Sequence, residues 1–299
     1  MSYAPNWDTD GADWPNRAAS RFVQAGGVRF HVQVMGDGPV VLLLHGAGAA
    51  THSWRDLAPL LAQDFTVVAP DLPGHGFSST PPSAGLTLPG MAASITALLA
   101  ELKLMPALVV GHSAGAGVMV RMALAGTRAV PLIALNGALL PFPGFAAKLF
   151  PGLAKLLFAN PFVPSLVAAG IRGGGLVDRF LERTGSTLDA RGSALYARLF
   201  GTAGHVAGMM GMMANWDLET LERDLPRLRS PLTLVYGDRD GTVPPEVSIT
   251  VARRVAGATL IKQPGLGHLA HEEQPAAAAR IIGDVARAAG SRVTPDAAS

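Results

Sequence analysis

The chain has no cysteine in its 299 residues. That excludes a disulfide framework, a thiolate metal site, an Fe–S cluster and a cysteine nucleophile. An excess of one charge is missing too: 24 basic and 22 acidic residues leave +2. No run of Lys or Arg occurs, so no nucleic-acid partner is expected. No run of about 18 apolar residues is free of a charge, His or Pro, and no transmembrane helix is expected. The N-terminal stretch MSYAPNWDTDGADWPNRAAS has neither a basic nor an apolar region of the kind a signal peptide needs. A cytoplasmic protein is the default expectation. The 35 Gly and 23 Pro follow no period, which excludes collagen-like and repeat architectures. What is abundant is apolar: 49% of residues are hydrophobic and only 15% charged, enough for a large core.

The apolar residues come in short runs. Val40–Leu44, Phe65–Ala69, Leu108–Val110, Leu132–Leu135, Leu232–Tyr236 and Thr259–Lys262 read as strands, most of them wholly apolar. Such runs suit a parallel sheet covered on both faces. Arg21–Val34 alternates about Gly26-Gly27 and predicts a hairpin. Helical patterns lie between, over Trp54–Leu61, Leu88–Leu102, Ala114–Ala125, Glu246–Val255 and Pro275–Ala288. The alternation predicts an α/β sandwich. The expected division is an N-terminal arm over 1–20, a core over 21–137 and 227–290, a helical cap over 138–226, and a frayed tail over 291–299. The cap breaks the strand–helix rhythm, with apolar stretches punctuated by prolines.

Gly111-His112-Ser113-Ala114-Gly115 is a G-x-S-x-G sequence between a strand and a helix. A sharp turn there would present Ser113 as a nucleophile, and Gly111 and Gly115 would permit close backbone approach. A serine hydroxyl needs a base to take its proton. His268, in Gly265-Leu-Gly-His268 after the last strand, is the candidate, with His271 a poorer one. The base needs an orienting acid. Asp240, in Gly237-Asp-Arg-Asp240, is the choice and Asp238 the reserve; the preceding strand ends at Asn136, not a carboxylate. The N–H groups of Ala47 and Ala114 are the expected oxyanion donors. No cofactor is called for. A metal at His268, His271 and Glu272 is not expected, since the zinc motif order is not met.

HGAG (45–48), DLPGHGFS (71–78), GHSAG (111–115), GDRDGTVP (237–244) and GLGH (265–268) together resemble the α/β-hydrolase fold superfamily. More narrowly, DWPNRAASRFV (13–23), LNGALLPFPG (135–144), HVAGMMGMMANWDL (205–218) and GLGHLAHEE (265–273) resemble the BchO family, magnesium-chelatase accessory proteins of bacteriochlorophyll biosynthesis. The resemblance implies a mostly parallel sheet with a helical cap and a role near magnesium insertion into a porphyrin. It fixes no reaction. The chain lacks G-x-x-x-x-G-K-[ST], so it is no ATP-driving chelatase subunit.

The cap should select the substrate. Phe142, Met209, Met213 and Trp216 are the candidate substrate-binding residues. They would line an apolar pocket for a tetrapyrrole ester or a long chain, or simply pack the cap onto the sheet. Two functions stand side by side: a serine hydrolase of a hydrophobic ester, or a non-catalytic accessory protein that binds a porphyrin or a chelatase subunit through the cap. Lys148 and Lys155 leave room for peripheral contact with an anionic membrane surface.

Overall fold

The computed structural model describes residues 4–141, 160, 162–172 and 176–290. Phe142, Lys148, Lys155 and the expected tail over 291–299 lie outside the described residues.

Eight strands form one sheet: β1 (Ser20–Ala25), β2 (Val28–Met35), β3 (Val40–Leu44), β4 (Thr66–Pro70), β5 (Leu108–His112), β6 (Leu132–Leu135), β7 (Leu232–Gly237) and β8 (Thr259–Gln263). Their order is β1-β2-β4-β3-β5-β6-β7-β8. β1–β2 and β2–β4 pair antiparallel, and every other pair is parallel. The hairpin turns at Gly26-Gly27, both with positive φ, as the alternation predicted.

Helices cover both faces. They are α1 (Leu57–Leu61), α2 (Leu88–Leu102), α3 (Ala114–Ala125), α4 (Val163–Arg172), α5 (Leu176–Arg183), α6 (Ala190–Phe200), α7 (Ala203–Ala214), α8 (Leu218–Asp224), α9 (Pro245–Arg254), α10 (Ala270–Glu273) and α11 (Pro275–Gly290). Alternate strand residues serve the two faces. Leu42, Leu44, Val109, Leu132 and Ala134 pack on α2 and α3, while Val41, Leu43, Leu108, Val110 and Ile133 pack on α1 and α11. Both faces being covered is why these strands are apolar throughout.

The helix expected over Trp54–Leu61 is instead a 3₁₀ turn over Thr51–Trp54 followed by α1. Pro59 lacks the N–H that would carry a helix continuously from Trp54. α10, around His271, stands as a short helix of its own rather than as the start of the last one, because Pro275 opens a separate helix after it. Between β6 and β7 the described residues form helices α4 to α8 and a 3₁₀ turn over Leu225–Arg227, and no strand. Two of them hold to the core at close range. A Cβ on Gly208 of α7 would overlap the Gly74 carbonyl, so the two backbones touch. Trp14 is buried among Ala50, Phe77, Leu195 and Leu199, joining the N-terminal arm to α6.

Candidate active site

All parallel strands point their carboxyl ends the same way. The turns after β3, β5, β6, β7 and β8 therefore meet at one edge of the sheet, where open α/β sheets bind ligands.

The turn after β5 carries the serine. Ser113 sits there at φ 49° and ψ −119°. A non-glycine residue reaches positive φ only at a cost of about 1–3 kcal/mol, which the surroundings must offset. They do so by contact. A Cβ on Gly115 would overlap the Leu44 carbonyl, and one on Gly111 would lie 2.6 Å from the Ala116 backbone. The elbow is thus wedged between β3 and α3, and the two glycines are needed for the reason the motif suggests. Ser113 N–H donates to Leu135 O at 3.0 Å, tying the elbow to β6.

The turn after β3 lies against it. A Cβ on Gly46 would be 2.9 Å from Ser113 Cβ. Ala47 follows Gly46, and Ala114 is the first residue of α3, whose N–H has no intrahelical acceptor. Neither N–H is taken by an acceptor among the described residues. Both expected oxyanion donors thus stand beside the serine.

The acid and base come from the far strands. Asp240 Oδ2 accepts from His268 Nδ1 at 2.8 Å, and both side chains are buried. The other oxygen, Oδ1, accepts from the N–H groups of Thr242 and Val243, each at 2.8 Å. With its proton on Nδ1, His268 keeps the Nε2 lone pair free for a serine proton. No hydrogen bond joins Ser113 to His268 among the described residues; in ligand-free sites such contacts tighten when substrate binds. The reserve acid is engaged elsewhere. Asp238 pairs with Lys262 at 3.1 Å and accepts from Gly265 N–H at 2.6 Å, and that backbone bond, with Lys262, lowers its pKa.

Several residues at the site were not singled out from sequence. Asn136 Nδ2 donates to Asp240 Oδ2 at 2.7 Å, so the residue in the place of a carboxylate anchors one. His112, inside the elbow motif, donates from Nε2 to the backbone oxygen of His268 at 2.9 Å. Burial, with His271 and His268 nearby, pushes its pKa well down and keeps it neutral. His271, the alternative base, is turned away: its Nε2 meets Ser53 Oγ at 2.9 Å, and burial holds its pKa near 3. Glu272 accepts from Ser53 and from Tyr196 of α6, each at 2.7 Å, and burial raises its pKa to about 7. Paired buried polar side chains leave no periodic trace, so of these residues only His271 and Glu272, in the run of His and Glu over 268–273, drew a reading from sequence.

The expected substrate-binding residues divide. Met209 reaches the turn after β3: its Sδ would be 3.0 Å from a Cβ on Gly48, beside Phe200 at 2.7 Å. Trp216 packs on the main core, its ring near Gly117 of α3. Met213 is half-buried in α7. Ala49, Phe200, Val206 and Leu269 belong to one apolar cluster beside the turns after β3 and β8, with Met209 against it. His205 of α7 locks this cluster down, accepting from Gly76 N–H at 3.0 Å and donating to Gly48 O at 3.1 Å. Among the described residues no His/Asp/Glu cluster is placed to hold a metal ion. None of the described helices is long and apolar enough to cross a membrane.

The family model for the alpha/beta hydrolase fold matches residues 39–275. The chain is 40% identical over 263 residues to the magnesium-chelatase 30 kDa subunit of Rhodobacter capsulatus, covering 87% of this chain and 92% of that protein. It is 24% identical over 278 residues to a 2-hydroxy-6-oxo-2,4-heptadienoate hydrolase of Pseudomonas putida, covering 90% and 96%. Among solved structures, an alpha/beta hydrolase fold protein from Burkholderia ambifaria superposes with a TM-score of 0.76 at 26% identity, covering 89% of this chain and 97% of that one.

Proposed function

Because the chain belongs to the α/β-hydrolase fold family and groups there with BchO-type proteins, we propose that it is a serine hydrolase acting on the ester of a hydrophobic substrate. The observation that carries this reading is the Asp240–His268 hydrogen bond at 2.8 Å, at the same sheet edge as the strained Ser113. In the proposed cycle Ser113 Oγ attacks the ester carbonyl while His268 Nε2 takes its proton. The N–H groups of Ala47 and Ala114 hold the oxyanion. Each is worth roughly 3–4 kcal/mol of transition-state stabilisation. His268 then hands the proton to the departing alcohol, and a water repeats the sequence to release the acid. Asp240 orients His268 and supports its charged form.

An apolar substrate fits the apolar cluster. Ala49, Phe200, Val206, Leu269 and Met209 form a cluster of aliphatic, aromatic and thioether groups beside the turns after β3 and β8. The helices between β6 and β7 act as the cap that selects it. The relative's name, a magnesium-chelatase subunit, together with the BchO resemblance, extends the proposal to a substrate in or near bacteriochlorophyll synthesis, such as a tetrapyrrole ester. The test is hydrolysis of a panel of aryl and long-chain esters. The reading expects turnover that Ser113→Ala abolishes in a folded protein; unchanged turnover in that variant would refute it.

The same relative favours a second reading, in which the cap binds a porphyrin or a chelatase subunit and the triad is idle. Complementation of a strain lacking the gene separates the two. Pigment restored by Ser113→Ala would favour binding; failure of the folded, expressed variant would favour catalysis.

A further inference from the structure

The segment between α5 and α6 touches the acid turn and the base turn at once. The Thr184 carbonyl accepts from two N–H groups: that of His268 at 3.0 Å and that of Gly241, next to Asp240, at 3.2 Å. One acceptor therefore ties the backbone of the base to the backbone of the acid turn. Two residues on, Ser186 Oγ accepts from Leu269 N–H at 2.8 Å and donates to Glu273 Oε2 at 2.7 Å. The same Glu273 oxygen accepts from Gly267 N–H at 3.0 Å, and its other oxygen accepts from Thr187 N–H at 3.1 Å. Residues on both sides of His268 are thus pinned from this segment.

The backbones meet without side chains between them. Gly185 has φ +75°, and a Cβ there would overlap the Arg239 carbonyl. A Cβ on Gly267 would run into the Gly185 backbone, and one on Gly241 into the Arg183 carbonyl. The segment is itself rigidly held. Thr184 N–H donates to Leu181 O and Gly185 N–H to Glu182 O, each at 3.0 Å, which closes α5. Thr184 and Ser186 are buried.

We propose that Thr184–Thr187 is a positioning clip for the Asp240–His268 pair, so that seating of the helical segment and alignment of the base are one event. This rests on the hydrolase reading above. None of the clip residues touches the reacting atoms. They act through His268, by fixing where its backbone sits relative to Asp240. The consequence is that the cap cannot lift at this edge without disturbing the base, and a substrate must enter elsewhere.

The experiment compares wild type with Gly185→Ala, Ser186→Ala and Ser186→Thr. Two quantities are read: the rate of covalent labelling by a fluorophosphonate, and the downfield proton resonance of His268 Nδ1–H. The clip predicts labelling slowed at least about tenfold in Gly185→Ala and about threefold in Ser186→Ala, with Ser186→Thr restoring most of it. The resonance should shift or broaden in step. Should Gly185→Ala fail to fold, the two Ser186 variants decide. Wild-type labelling rates with an unmoved resonance in all variants would overturn the clip and leave the hydrolase reading intact. A wild type that does not label, with the resonance still displaced in the variants, would remove the hydrolase reading and keep the clip as the device that aligns the pair. No labelling and no displacement would overturn both.

Discussion

The serine elbow and the acid–base pair are held by different means. The elbow is local. Strand β5, helix α3 and two glycines within five residues build it, and its tight contacts are with the neighbouring strand β3. The acid–base pair is assembled from a distance. Asp240 and His268 lie 28 residues apart and depend on Asn136, 104 residues before the acid, and on His112, 156 residues before the base. Backbone geometry fixes Ser113, the proposed nucleophile, whereas buried polar side chains, with the Thr184 carbonyl, fix the pair proposed to activate it. The first kind of support tolerates little change in shape. The second is sensitive to the loss of single hydrogen bonds and to protonation.

That contrast can be tested at four points of decreasing effect. Ser113→Ala should lower ester turnover by a factor of about 10⁴ or more with the fold unchanged, measured by steady-state rates beside a thermal unfolding curve. Asp240→Asn should cost about 10³ in kcat, since the tautomer and orientation of His268 are no longer fixed.

The third concerns pH. Burial raises the Glu272 pKa from 4.5 to about 7. An acid that holds its proton more tightly when folded loses stability as pH rises between those two values, because the unfolded chain ionises first. The loss is fully present above pH 7 and absent below 4.5, and amounts to at most about 3 kcal/mol. Denaturant titrations of Glu272→Gln and wild type should therefore diverge in the variant's favour from pH 4.5 to 7. Parallel curves would show that Glu272 titrates normally. The smallest effect is at Asn136→Ala, which removes one donor to Asp240 Oδ2. A hydrogen bond to a charged group predicts a fall of about tenfold in kcat with KM little changed.

The same division explains what the sequence made legible. The elbow could be read because its parts are adjacent and its residue types are dictated by crowding. β3, α2, α3 and β6 have the bounds that their apolar patterns predict, since burial on both faces leaves a continuous apolar run. Asp240 was separable from Asp238 only by its place three residues after Gly237 and by the Gly-Thr-Val-Pro that follows it; in the structure Asp238 is engaged by Lys262 and Gly265 while Asp240 meets His268. Asn136 looked like the absence of an acid; its amide turns out to face one. Thr184–Thr187 has no signature at all, because its work is done by a carbonyl, a small hydroxyl and a glycine that only the tertiary fold brings to His268. Trp216, for which the sequence left a substrate pocket and plain packing both open, packs on the main core.

Every step proposed for this site requires Ser113 to be an activated nucleophile. The most direct measurement is an intact mass after exposure to a serine-reactive fluorophosphonate, taken on wild type and on Ser113→Ala. An activated Ser113 gives a single adduct on wild type and none on the variant. A folded wild type that stays unmodified, or a variant modified equally, would contradict it.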